Sequence, residues 1–281
     1  MEPFAAPHPD SVVIPDVPRK SRRAMLVAVG LVTVVAVGAG VFALAATDDE
    51  PTYSLTEAAS TADEVKTIAF TMVMDSLGVE MSAEAEVEIK KQLTHITMDL
   101  SNGAIGVGGE LEIIVDAENK VAYMNTEFFK GLGIPVEADW LLMDEEFLSR
   151  SSDQALFSGE AVSSPLDLGD LIDSANKVEE LGFDEVNGEK VKHYRVTVTG
   201  EAVLRANPQF AEQLPQVDGV LPDEVVYEIY VNEDNRILRS NFVMDIGPGE
   251  ISVDLVVKSI NKSVDIEIPD EDDVTDAGEF L

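Results

Sequence analysis

The chain has 281 residues, with 54 acidic side chains against 19 basic ones and a formal net charge of −35. This balance argues against nucleic acid as a partner, and against direct docking on anionic lipid headgroups, because both need clustered positive charge. The absence of cysteine excludes disulfides, thiol catalysis and a lipid-carrying cysteine.

The N-terminal residues predict a tail and a membrane anchor. Residues 1–23 are rich in proline and lack hydrophobic periodicity, which predicts a disordered cytoplasmic tail. Residues 24–46 form an uncharged apolar run, which as a helix would be about 34 Å long and would cross a hydrocarbon core of about 30 Å. Basic residues precede the run and acidic residues follow it, so we expect a single-pass cell-membrane protein with an extracytoplasmic C-terminal part.

A cleaved signal peptide is the alternative interpretation of the same run. Ala43-Leu44-Ala45 fits the small-x-small pattern of a cleavage site. The apolar stretch is, however, longer than the usual signal core of about 7–15 residues. Sequence alone leaves both interpretations open.

After a linker at 47–53, the residues from 54 to 268 predict one extracytoplasmic domain. The spacing of Ser54 and Glu57 is that of a capping box, which predicts a helix to about residue 62. Apolar and polar residues then alternate in about ten segments, typical of antiparallel strands with one wet face. Further short helices are predicted near 165–175 and 201–214, and residues 269–281 are expected to form an acidic C-terminal tail.

These elements predict an α+β fold that is mostly antiparallel β. The apolar face of the sheet must be covered, and only a few short helices are available to cover it. We therefore expect a strongly curved half-barrel sheet that closes over those helices. Whether its interior is an apolar cavity or an ordinary packed core is left open by the sequence.

Nine residues on the predicted apolar face are candidates for contact with a hydrophobic ligand. Several are methionines, whose flexible side chains adapt to variable apolar guests. The candidates are Phe70, Met72, Met98, Tyr194, Val196, Tyr227, Phe242, Met244 and Leu255.

Several short motifs resemble one family of envelope proteins. A strand at 121–124 is followed by Trp140-Leu141-Leu142-Met143-Asp144 and then by the helix near 165–175. Next comes a hairpin in which Gly182 and Gly188 lie six residues apart, with His193-Tyr194 following. In their order, these segments resemble extracytoplasmic lipoproteins of the LppX/LprG type, in the LolA-like superfamily.

The resemblance implies a half-barrel with an apolar cavity that receives lipid acyl chains or other hydrophobic molecules. It also implies a role in cell-envelope lipid transport or maintenance. This chain departs from the family in having a predicted membrane helix where its relatives have a lipid-carrying cysteine. That difference limits transfer of a ligand to the reach of the linker.

The sequence offers no pattern for catalysis, for a metal or for a cofactor. Of the three histidines, His8 is in the predicted tail, and His95 and His193 lie on separate strands among polar neighbours. No nucleophile elbow or phosphate-binding glycine loop is present, so we expect a non-enzymatic protein. The alternative to ligand binding is a structural or sensory ectodomain with a filled core that acts through a protein partner.

Overall fold

A computed structural model describes residues 52–60, 65–76, 79–100, 109–131, 133, 135–144, 147, 168–206, 222–245 and 249–280. The predicted tail at 1–23 and the predicted anchor at 24–46 lie outside the described residues. Within the described residues, no helix combines the length and the apolar character needed to span a membrane.

The described strands form a single sheet of twelve strands. Their bounds are β1 (Thr67–Ser76), β2 (Val79–Glu88), β3 (Leu93–Asp99), β4 (Glu110–Asp116), β5 (Val121–Asn125), β6 (Trp140–Asp144), β7 (Lys177–Val186), β8 (Glu189–Thr199), β9 (Glu224–Asn232), β10 (Ile237–Asp245), β11 (Glu250–Ile260) and β12 (Val274–Asp276). Their order across the sheet is β12-β6-β5-β4-β3-β2-β1-β11-β10-β9-β8-β7.

The sheet consists of two antiparallel meanders. They are joined through β1, the first strand of one meander, and β11, the last strand of the other. Strands β1 to β6 pair in sequence order, and so do β7 to β11. The two meanders meet where β1 pairs with β11, for example Met72 opposite Leu255. β12 adds in parallel beside β6, so that β12 and β7 are the two edges of a sheet that does not close.

Burial shows which face of the sheet turns inward. One apolar cluster contains inward side chains from ten strands, from β6 at one side to β8 at the other. Ten strands about 4.8 Å apart would span more than 40 Å if flat, too wide for a few short helices to cover. The sheet is therefore curved, and this apolar surface is its concave face, as predicted.

Five short helices accompany the sheet among the residues that the structure describes. They are α1 (Leu55–Ser60), α2 (Glu127–Gly131), α3 (Leu168–Asp173), α4 (Gly200–Ala206) and α5 (Ala277–Phe280). α1 contacts α3, and α3 contacts α4, while α4 packs on β8 and β9. Since each helix has at most two turns, packing on the sheet rather than intrinsic propensity must hold it.

A buried asparagine fixes the start of the domain. Asn235, in the turn between β9 and β10, is 4% exposed and has a positive φ of 55°. Its side-chain oxygen accepts from the Ser54 N–H at 2.6 Å and from the Thr52 hydroxyl at 2.8 Å. Its amide nitrogen donates to Glu57 at 2.6 Å, and the Glu57 N–H donates to Ser54 Oγ at 3.2 Å as the capping box predicts.

Two sequence-based expectations differ from the structure. The alternation of Leu238 with Phe242 and Met244 in the sequence predicts all three on the apolar face, but a bulge between Ile237 and Arg239 turns Ile237 to the concave face instead. Leu238 packs on the convex face with Tyr230, because a one-residue shift exchanges the two faces of a strand.

The second difference concerns the acidic segment 269–281, which was expected to be a tail. It contains β12 and α5, and Ala277 is 1% exposed within the main apolar cluster. The strand that follows the acidic run at 270–273 has only three residues, Val274 to Asp276, too few for an alternating pattern to be recognised. The sheet consequently has twelve strands where about ten were predicted.

Replacing Asn235 by Ala should destabilise the domain by about 1–3 kcal/mol, because it removes the hydrogen bonds that this buried side chain makes to Thr52, Ser54 and Glu57. Urea titration monitored by circular dichroism measures this loss. The control Asn176→Ala, at an exposed position, should change the free energy of unfolding by less than about 0.5 kcal/mol. Equal stability of the two variants would contradict the role given to Asn235.

Candidate ligand-binding face

The concave face is built of cross-strand rows of side chains that run perpendicular to the strands. In the central row, Met98, Ala83, Met72 and Leu255 are successive partners on β3, β2, β1 and β11. The row continues through Ser240, Ile229 and Tyr194 on β10, β9 and β8. Strand alternation places every second residue on this face, so the register fixes the whole row at once.

Eight of the nine predicted ligand-contacting residues lie on five adjacent strands. Tyr227 is paired with both Val196 and Phe242, and the Tyr227 and Phe242 rings are 5.0 Å apart. Phe70 is next along β1 from Met72 on the same face, and Met244 is next along β10 from Phe242. Met98 is the outlier, separated from Met72 by the small side chain of Ala83.

These residues are covered in the structure. Eight of the nine are between 0% and 5% exposed, and Phe242 is half-buried against the same cluster. The Tyr194 hydroxyl donates to the carbonyl oxygen of Tyr53 at 2.6 Å, which ties the segment before α1 across β8. Burial raises the pKa of Tyr194, so this hydroxyl keeps its proton at neutral pH.

Small side chains on β2 were not among the candidates, although the sequence placed them on the apolar face. Ala83 lies between Met72 and Met98, and Ala85 lies between Phe70 and Ile96. An alanine between two long side chains leaves a depression that larger neighbours or a guest can fill. The nine candidates are mostly large side chains. Positions at which a small side chain leaves room on the same face were therefore overlooked.

The covering helices are the second group that the prediction omitted. Leu55 and Ala58 of α1, Leu171 of α3, and Ala202 and Val203 of α4 all join the cluster on the concave face. The hydrophobic pattern of the helices could have identified them. Three helices of six, six and seven residues thus supply five buried side chains over the β8–β11 half of the sheet.

The β7 edge of the concave face carries exposed apolar residues. Val178 and Phe183 are 46% and 57% exposed, and the Phe183 ring meets the Tyr53 ring at 5.2 Å. Lys190 Nζ lies 3.9 Å from the Phe183 ring centre. Lys192 Nζ lies 2.6 Å from Glu180, an ion pair at the same edge.

The convex face holds both described histidines and most of the ion pairs between strands, apart from Lys192 with Glu180 at the β7 edge. His95 is 2.8 Å from Glu112, and His193 stacks on Tyr230 while it bonds Glu228. The two histidines lie on β3 and β8, which five strands separate. Among the described residues, no group of three or more His, Asp or Glu is placed to hold a metal ion.

Comparison with known proteins gives structural matches alone. No protein-family model and no curated protein matches the chain. Lipoprotein LppX of Mycobacterium tuberculosis is 12% identical, with 76% of this chain and 94% of that chain covered at a TM-score of 0.46. LprF of Mycobacterium bovis is 13% identical, with 79% and 99% covered at a TM-score of 0.47.

A third solved structure, the MucA/MucB complex of Pseudomonas aeruginosa, is 12% identical and covers 78% of this chain and 56% of that chain at a TM-score of 0.34. LppX and LprF are lipoproteins of the type that the sequence motifs resemble. The resemblance is thus confirmed as a likeness to LppX-type lipoproteins. At 12–13% identity it assigns no ligand to this chain.

Alkaline titration should reveal the environment of Tyr227. Burial raises its pKa above the ordinary value near 10, so the folded state favours the neutral phenol. The stabilisation that comes from the neutral Tyr227 phenol is complete below pH 10. It is lost as the pH rises further, because the unfolded chain then releases the phenol proton more readily than the folded one. The free energy of unfolding should fall less between about pH 9 and about pH 11 in Tyr227→Phe than in the wild type.

The control for this titration is Tyr123→Phe, at a half-buried tyrosine whose pKa is also raised, first by burial. Tyr123→Phe should reduce the fall in the free energy of unfolding at alkaline pH by less than Tyr227→Phe does. Urea titrations at each pH measure both variants. A larger effect at Tyr123 would show that Tyr227 does not occupy the driest part of the concave face.

Proposed function

We propose that this chain is a membrane-tethered extracytoplasmic domain that binds lipid or another hydrophobic ligand on the concave face of its sheet. The observation that carries the proposal is the composition of that face. It is continuous and apolar across ten strands, and it combines flexible methionines with small alanines. Short helices, rather than a second sheet, cover it in the described residues.

Methionine and alanine together give a surface that can accept guests of different shape. Met72, Met74, Met81 and Met98 surround Ala83 on β1, β2 and β3. Unbranched methionine side chains change rotamer at low cost and refill irregular space. Each CH2 group of a guest chain that leaves water for this region would contribute about 0.8 kcal/mol of favourable binding free energy. The cost of immobilising the chain must be subtracted from that gain.

Entry of a ligand requires the cover to move, because the candidate residues are buried in the structure. α1 is the element best suited to do so. It has six residues, its start is held by hydrogen bonds to Asn235 and to Tyr194, and it adds only Leu55 and Ala58 to the apolar cluster. Elements with few buried contacts open locally at lower free energy than the core of a domain.

The location and biological role are parts of the same proposal. The predicted helix at 24–46 would anchor the domain at the outer side of the cell membrane. Residues 47–51 would then link it to Thr52, a length of at most about 18 Å when extended. A domain on so short a tether would exchange ligands with its own membrane or with a docked partner, in support of envelope lipid transport or maintenance.

Binding without catalysis is favoured by where the charged groups lie. The histidines pair with single carboxylates on the convex face, away from the proposed ligand. A second candidate function has its own supporting observation, namely the nearly complete burial of the concave face. In that case the domain has a filled core and acts through a protein partner as a structural or sensory ectodomain.

Photo-crosslinking distinguishes the two functions in the full chain. A fatty acid that carries a diazirine near the end of its acyl chain is added to membranes containing the protein, irradiated, and located by mass spectrometry of peptides. We expect adducts on concave-face residues of β1, β3 and β9. Adducts confined to residues 24–46, or to convex-face residues, would contradict ligand binding and favour the filled core.

Two substitutions of opposite effect sharpen the test. Ala83→Leu fills the depression between Met72 and Met98 and should lower concave-face crosslinking several-fold, whereas Met98→Ala enlarges it and should preserve or raise crosslinking. The control Ser82→Leu adds the same side chain on the exposed convex face of β2 and should have no effect. Circular dichroism confirms that each variant is folded before crosslinking is compared.

A further inference from the structure

One inward position near the middle of the concave face carries a hydroxyl group. Ser240 on β10 pairs with Leu255 on β11 and with Ile229 on β9, and both partners belong to the apolar cluster. The register therefore places the Ser240 side chain on the concave face, as it does Phe242 two residues along the same strand. A hydrogen-bonding group thus interrupts a row of side chains that is otherwise apolar from β3 to β9.

Ser240 and Phe242 are less covered than the residues on both sides of them. Ser240 is half-buried, whereas its partners Leu255 and Ile229 are buried. Phe242 is also half-buried, although its partner Tyr227 is buried. The cover of the concave face is therefore incomplete above β10, so an inward polar side chain lies there within reach of a guest molecule.

The Ser240 hydroxyl makes no hydrogen bond to a residue that the structure describes. The other hydroxyl of the same row, on Tyr194, already donates to the carbonyl oxygen of Tyr53 at 2.6 Å. A hydroxyl that loses its water without gaining another partner costs free energy. A guest that covers Ser240 consequently binds better if it supplies a hydrogen-bond acceptor.

The position of Ser240 in the row determines where the rest of a guest would lie. Neighbouring strands are about 4.8 Å apart, so Ser240 is about 10 Å from Met72 on β1 and about 14 Å from Ala83 on β2. The side chains of Leu255 and Met72, which lie between, offer no hydrogen-bond donor. A linear amphiphile with its polar atom at Ser240 would therefore extend its hydrocarbon chain along the row toward the depression at Ala83.

We propose that Ser240 is the polar contact of the ligand site and selects guests whose hydrocarbon chain ends in a carbonyl oxygen. This inference rests on the ligand binding of the proposed function and names the chemistry of that ligand. The hydroxyl donates to the carbonyl oxygen, while the chain contacts the methionine and alanine side chains of β1 to β3. A free fatty acid and an acyl ester of a membrane lipid both offer this oxygen, and an alkane does not.

Two other ligand groups fit this position less well. A phosphate group would require positive charge, and Lys192, at the β7 edge, already pairs with Glu180. A sugar would require several polar partners, whereas the residues paired with Ser240 are apolar. A single neutral oxygen next to a hydrocarbon chain is the chemistry that one hydroxyl in an apolar row satisfies.

Three photoprobes with the same terminal diazirine test this selectivity in membranes that contain the full chain. They are a fatty acid, its phosphatidylcholine ester and the corresponding alkane. Crosslinking to concave-face peptides at increasing probe concentration gives an apparent affinity. Ser240→Ala should lower the affinity for at least one of the two carbonyl probes about fivefold, because one neutral hydrogen bond is lost. The affinity for the alkane should not change, and the carbonyl probe that is affected identifies the acid or the ester as the source.

Two matched variants separate the hydroxyl from packing. Ser240→Thr keeps a hydroxyl at the same position and should retain most of the affinity for the carbonyl probes. Ser252→Ala removes a hydroxyl from a half-buried position on the convex face of β11 and should have no effect. Circular dichroism confirms that each variant is folded before affinities are compared.

The position of the diazirine tests the direction of the guest chain. A fatty acid with the diazirine beside its carboxyl group should give adducts mainly on β9, β10 and β11, whereas the terminal diazirine should shift the adducts toward β1 to β3. The same distribution of adducts for both labels would show that the guest has no fixed polar end, and would overturn the proposal.

Failure of this proposal differs from failure of the proposed function. Unchanged affinities for all three probes in Ser240→Ala, or an equal loss for the alkane, would overturn the role of the hydroxyl while the wild type still crosslinks on its concave face. Absence of concave-face crosslinking by every probe in the wild type would contradict ligand binding itself, and this inference with it.

Discussion

The requirement to bury one wide apolar face determines most of this structure. Ten of the twelve hydrogen-bonded strands present a continuous apolar surface that water would penalise by about 25 cal/mol for each Å² left exposed. The described helices are too short to cover a flat sheet of that width. Curvature solves the problem, because it brings side chains of β3 and β8 toward a common interior to which all five described helices add buried side chains.

Curvature also explains where the two kinds of chemistry lie. The concave face holds methionine, alanine and aromatic rings, with Tyr227 dry enough for its pKa to be raised. The convex face remains in contact with water and carries the charged pairs, such as Arg239 with Asp254 at 2.8 Å. Strand alternation assigns each residue to one of these environments, so the sheet itself separates the apolar concave face from the charged convex face.

Much of this organisation could be predicted from the sequence, because alternation is a local signal. The succession of strands along the chain, the hairpin at Asn187-Gly188 and the apolar side of each strand follow from period-two patterning and turn residues, whereas the pairing of β1 with β11 does not. The bulge before Arg239 could not be predicted, since it is set by the partner strand. Neither could the hydrogen bonds from Asn235 to Ser54 and Glu57, which join residues about 180 positions apart.

The central claim is that the concave face accepts a hydrophobic guest in addition to its own side chains. Native mass spectrometry of the full chain, released directly from the membranes in which it is made, tests this most directly. The account predicts a population of the protein with one retained lipid mass, reduced in Ala83→Leu and unchanged in Ser82→Leu. Bare protein alone, in wild type and variants under conditions that preserve the fold, would contradict it.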